Sequence, residues 1–69
     1  MRKYLYSIRD SASRLYDNPF VCSSDDEAAR LFGDFVNGLR QPGSPIHNHP
    51  EHFSLHRCGA WEEMEGLIH

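Results

Sequence analysis

Four histidines lie close together in the second half of the chain, His47, His49, His52 and His56, with Cys58 two positions further on. Imidazole and thiolate are good zinc ligands, and a tetrahedral set of them would staple a small core. The spacing argues against zinc. No Cys-x2-Cys pair is present, and every ligand would come from one run that passes through a proline loop into a strand. His56 and Cys58 share a face of that strand, which suits a metal without being specific to one. The plainer reading, loop histidines and one strand histidine, is favoured, with zinc a remote third possibility that chelator-insensitive melting excludes. A thiolate beside a base, Cys22 or Cys58 with His56, would be an activated nucleophile. Nothing supplies an orienting third group or an oxyanion hole, so no cofactor and no catalysis are expected. The cysteines read as small buried hydrophobes.

A second constellation is aromatic and basic. Single-stranded nucleic acid is held by sheets that set aromatic stacking platforms beside cationic side chains. Tyr4, Tyr6 and Tyr16 supply the platforms. Arg2, Lys3, Arg9, Arg14 and Arg57 supply the cations, with His56 nearby. The structural alternative is that alternating aromatics on a strand face the core while the arginines solvate the other side. The direction of Tyr4 and Tyr6 therefore discriminates: an inward pair favours a protein-interaction module over a nucleic-acid binder.

The elements that must position these residues can be read from periodicity. Lys3 to Arg9 alternates as a strand, with Tyr4, Tyr6 and Ile8 on one face. Asp10 to Ser13 is a polar turn. A second strand starts at Arg14-Leu15-Tyr16, breaks at Asp17-Asn18-Pro19 and resumes as Phe20-Val21-Cys22, which Pro19 confines to an edge. Ser24-Asp25-Asp26-Glu27 matches a capping box, with Ser24 accepting from the Glu27 amide and the Glu27 side chain returning to the Ser24 amide. The acids there also complement the helix dipole. Ala28, Phe32, Phe35 and Leu39, widened by Leu31 and Val36, form the apolar stripe, and Asn37-Gly38 is the stop. Three prolines and a glycine predict an irregular loop from Gln41 to Pro50. Phe53 to Cys58 is another strand with a bulge or bend at Gly59, and Trp61 to Ile68 is the hairpin return, Trp61 packing beside Leu67 or Ile68. The expectation is one α+β domain over residues 1–69. It consists of an antiparallel sheet of about four strands, ordered β-β-α-β-β, with one helix on one face.

Composition narrows the function. The 69 residues hold 7 Lys+Arg against 10 Asp+Glu, a net charge of −3, which excludes a polybasic binder working by bulk charge. The charge is uneven, since residues 1–16 carry four cations and one anion, a net +3. With 39% hydrophobic and 12% aromatic residues the chain can collapse rather than remain disordered. No secretory signal and no membrane-length apolar run are read, so an intracellular protein with reduced thiols is expected. So short a chain buries only about 60% of its unfolded surface, which leaves self-association as the expected support.

Read along its length, the sequence resembles the small nonstructural protein of gokushoviruses, icosahedral single-stranded DNA phages of the microvirus group. The resemblance is carried by Tyr6-Ser7-Ile8-Arg9-Asp10, the Asn18-Pro19-Phe20 step, and the acidic-capped helix ending in Phe35-Val36-Asn37. It continues through His49-Pro50-Glu51-His52-Phe53-Ser54-Leu55 and Gly59-Ala60-Trp61, followed by Glu62. One departure is His52, where the family often has Asp, and of the histidines only His49 belongs to the pattern. The resemblance implies a nonstructural protein of the host cytoplasm, absent from the virion and labelled DNA-binding. It is also likened to the factor that shifts replication toward single-strand synthesis. The combined expectation is a non-enzymatic, dimeric protein that binds the single-stranded viral genome during replication or packaging. The alternative is a regulator of a host or capsid protein without nucleic-acid affinity.

Overall fold

The computed structural model describes residues 2–69. Strand β1 runs over Arg2–Asp10, and two short strands, β2 (Leu15–Tyr16) and β3 (Phe20–Cys22), follow it. Both lie antiparallel along the same edge of β1, β2 at Arg9 and Asp10 and β3 at Tyr4 to Tyr6. They are one edge strand interrupted by Asp17-Asn18-Pro19, as the proline requires. Helix α1 (Asp25–Val36) and a short helix α2 (Pro45–Asn48) come next, then the long strand β4 (Phe53–Glu62) on the other edge of β1. Strand β5 (Leu67–Ile68) returns along the end of β4, pairing Ile68 with Trp61. The architecture is α+β, with an antiparallel, curled sheet and one main helix.

The helix boundaries follow from capping chemistry. Ser24 is the N-cap, its hydroxyl accepting from the Glu27 amide at 3.1 Å. The returning half of the box is absent, because the Glu27 carboxylate instead accepts from the Ser23 hydroxyl at 2.6 Å. The helix stops at Asn37, and Gly38 takes a left-handed φ of 73°. A side chain at Gly38 would also meet the His47 ring, 2.6 Å from an ideal Cβ. Leu39 lies past this stop and is 73% exposed, so it leaves the apolar stripe.

The proline-rich segment contains α2, where an irregular loop was expected. Ser44 caps it and Pro45 occupies its first turn, the one helical position that needs no N–H and favours the proline φ. The bulge falls one residue before Gly59. Leu5 pairs with Gly59 and Tyr6 with Arg57, leaving Cys58 as the extra residue in β4.

The core is thin. Tyr6, Cys22 and Ala28 form its buried centre, with Tyr4, Phe20, Leu31 and Leu55 packed around it, and Ile46 of α2 is buried as well. Phe32 and Phe35 are half-buried. All the sheet residues of this core belong to one face, the face under α1. Nothing in the described fold packs a second layer on the other.

Candidate nucleic-acid interface

Residues paired across an antiparallel ladder share a face, and successive residues alternate. The register therefore sorts the sheet. The covered face holds Tyr4, Tyr6 and Ile8 with their partners Ala60, Arg57 and Leu55, and Phe20 and Cys22 beyond β1. The open face holds Lys3, Leu5, Ser7 and Arg9 of β1, Trp61, His56 and Ser54 of β4, Tyr16 and Val21 on the opposite edge, and Ile68 of β5.

This sorting divides the aromatic–basic set. Tyr6 is 2% exposed, and its hydroxyl donates to Asp25 Oδ1 at 2.6 Å. It cannot stack on a base, because removing it from the core would break both burial and hydrogen bond. Tyr4 is half-buried on the same face, with the Arg57 guanidinium 4.9 Å from its ring centre. Arg57 also reaches Asp25 Oδ1 at 3.4 Å, so it serves to fasten the helix start to the sheet. Arg2 pairs with Glu62 at the end of the same face. Arg14 lies outside both strands, exposed in the turn between β1 and β2.

Lys3, Arg9 and Tyr16 lie on the open face together. Lys3 stands beside Trp61 in the register and makes an exposed ion pair with Glu63 at 3.1 Å. Arg9 lies between Tyr16 and Ser54, neither of them acidic. Tyr16 meets His56 edge-on, ring centres 5.3 Å apart, and His56 is 2.8 Å from the Ser54 hydroxyl. Ser7, the register partner of His56, is only 3% exposed beside these rings, its hydroxyl donating to the Asp17 carbonyl at 2.6 Å. The two cationic groups stand at opposite ends of the face, about 20 Å apart at the usual strand rise.

Trp61 is the addition to the set read from sequence, and His56, expected near the cations, lies on this face with it. The Trp61 position was legible only once β4 was known to run through the bulge to Glu62. The apolar residues Leu5, Val21 and Ile68 lie between and beside these aromatics, Val21 at 47% and Ile68 at 66% exposure.

The histidines disperse. His47 Nδ1 accepts from the Gly43 amide at 3.0 Å, His49 and His52 stack by the turn at Pro50–His52, and His56 is on the open face. Among the described residues no group of three or more His, Cys, Asp or Glu is placed to hold a metal ion. Cys22 and Cys58 are both free thiols, one buried and one exposed. Burial pushes the Cys22 thiol up, and the nearby Glu27 carboxylate adds to it, so it stays protonated and inert. Beneath α2 lies a cleft of about 380 Å³, lined mainly by apolar residues such as Ile8, Leu15, Phe35, Ile46 and Phe53. No histidine or cysteine lines it.

Burial also drives the Tyr6 phenol up to about 12, and the Asp25 carboxylate that accepts its proton adds to the effect. Glu27 is held below the usual carboxylate range, chiefly by the Ser23 hydroxyl. All three perturbed groups, Tyr6, Cys22 and Glu27, sit at the helix–sheet junction rather than on the open face.

The fold and this face define a class: an α+β domain whose sheet is covered by one helix and open on its other side. The chain belongs to the Phage ORF5 protein family, whose model matches residues 3–69, and is a phage protein. No curated protein and no solved structure matches it. No helix among the described residues is long and apolar enough to cross a membrane.

Proposed function

We propose that this phage protein binds single-stranded DNA on the open face of its sheet, without catalysis, during replication or packaging of a gokushovirus-type genome in the host cytoplasm. One observation carries the reading. The open face sets Tyr16, His56 and Trp61 among Lys3 and Arg9 with no acidic residue in its strand register, whereas Asp25, Asp26, Glu27 and Asp34 ride on α1 across the sheet. A negatively charged strand is attracted to one side and repelled from the other. Bases find flat rings there, and phosphates find cations. The net charge of −3 is then compatible with a DNA partner, because most of the acid lies away from this face, Glu63 beside Lys3 being the exception.

The test is an anisotropy titration of a labelled oligonucleotide at several salt concentrations. Affinity should fall steeply with salt as counterions are released. Trp61→Ala should weaken binding by about 1–3 kcal/mol, the usual worth of a base–aromatic stack, and Arg9→Glu should abolish it at moderate salt. Trp61 is the single tryptophan, so its own fluorescence should quench on binding. No retention even at low salt would sink the proposal.

A second reading, a protein-interaction module, is favoured by the inward turn of Tyr4 and Tyr6 and by the half-buried Leu5 with the exposed Val21 and Ile68 on the open face. It expects oligonucleotide binding to be absent, and a defined host or capsid protein to be lost on Val21→Asp.

A further inference from the structure

Over its first half the outer edge of β4 has no neighbouring strand among the described residues. β5 pairs with it only at Trp61 and Glu62, and His69 extends this by exchanging both backbone bonds with Ala60, at 2.9 and 2.8 Å. From Phe53 to Cys58 no strand among the described residues lies along that edge. Unpaired strand edges are templates for another strand.

The direction of the backbone groups can be worked out. The Ser11 amide donates to His52 at 2.8 Å, and the Ile8 carbonyl turns away from β4 to accept from Asp17 at 2.9 Å. The ladder alternates, so Ser54 and His56 direct their backbone groups at β1. Phe53, Leu55 and Arg57, the register partners of Asp10, Ile8 and Tyr6, direct theirs outward. The Phe53 amide is already satisfied by Pro50, which leaves its carbonyl available.

We propose that a second copy of this chain pairs with this edge, antiparallel, across a two-fold axis at Leu55. In that register Leu55 faces Leu55 of the second copy and exchanges two bonds with it. Each Arg57 amide meets the Phe53 carbonyl opposite, so four backbone hydrogen bonds form. Side chains match as well. Arg57 lies over Phe53 on the covered side, and Ser54 faces His56 on the open side. The charges are complementary, because antiparallel pairing brings Arg57 toward Glu51 of the other copy, whereas parallel pairing would oppose like with like. The Cys58 bulge ends the ladder at one side and the turn at Pro50–His52 ends it at the other, which limits the pairing to this short segment. The two sheets become one, with their open faces side by side.

Light scattering after size exclusion should give twice the 8.0 kDa chain mass at tens of micromolar, with no DNA present. The register is tested by cysteine pairing in a Cys58→Ser background, which leaves Cys22 buried. Ser54→Cys and His56→Cys proteins, each verified as folded by melting, are prepared separately. Mixed and oxidised, they should give a disulfide-linked dimer, since non-hydrogen-bonded opposite positions have Cα atoms close enough to bridge. Either alone should cross-link at least tenfold less. A monomer at every concentration would overturn the proposal, as would a dimer whose mixture cross-links no better than the single variants. Neither result depends on whether the chain binds DNA.

Discussion

Asp25 holds two groups with one oxygen: the Tyr6 hydroxyl and the Arg57 guanidinium. Its position at the start of α1 makes this the clamp between helix and sheet. Tyr6→Phe keeps the ring and removes the hydroxyl, so it should cost about 1 kcal/mol in urea unfolding, the net worth of one such bond. The phenol also sets an alkaline limit. Its ionisation is displaced upward from 10.0 to about 12 in the folded protein, so the folded state binds this proton more tightly than the unfolded chain. The associated stability is complete below pH 10 and is lost as pH rises toward 12. In Tyr6→Phe this part of the alkaline loss should vanish. Unfolding midpoints measured from pH 9 to 12 check it, and parallel curves for the two proteins would refute it.

The elements show how backbone conformation is spent. Arg14 closes the turn from β1 to β2 with a left-handed φ of 64°, its amide bonded to the Asp10 carbonyl at 2.7 Å. A side chain there is strained and glycine is not. Arg14→Gly should stabilise the protein by about 0.5–1 kcal/mol, seen as a higher urea midpoint, and a lower midpoint would show that the arginine has a role in packing. Much of this level was legible in the sequence. Ser24 and Gly38 announced the ends of α1 because caps act through nearest neighbours. The Glu27 half of the box failed because Ser23 offers a nearer donor, a competition that no pattern displays. The Ser44-Pro45 pair carried the signal for α2, but a count of prolines hid it. The faces of β1 could be grouped from alternation alone. Which group is buried depends on the side to which α1 returns, so alternation could not say that Tyr4 and Tyr6 lie on the covered face and Lys3, Arg9, Tyr16, His56 and Trp61 on the open one.

The whole molecule measures 39 × 23 × 15 Å, one sheet and one layer of helix deep. At the usual 0.05–0.15 kcal/mol per residue its stability is roughly 3–10 kcal/mol, and very few fully buried side chains secure it. Ala28, with no exposed surface, packs α1 against Tyr6 and Cys22 of the sheet. Ala28→Leu adds volume that nothing can yield, at about 1–3 kcal/mol, a large share of that total. The variant should melt well below the wild type with a broadened transition by circular dichroism, while Trp61→Ala, at a half-buried position, should lose clearly less. Equal losses in the two would mean that the open face is structural after all. That the face is uncovered was not legible from composition, because −3 averages an acidic helix with a cationic strand.

The extra residue at Cys58 gives the molecule an uneven tolerance to insertion and deletion. Removing one residue elsewhere in β4 reverses every side chain beyond it, exchanging covered positions for open ones. Removing Cys58 brings Arg57 and Gly59 into consecutive register with Tyr6 and Leu5, and every other residue keeps its face. A Cys58 deletion should therefore fold, with a straighter sheet, where a deletion at Leu55 should not, and thermal melts of the two separate the outcomes. One residue can be taken from β4 at this place, and at no other, without rewriting the rest of the strand.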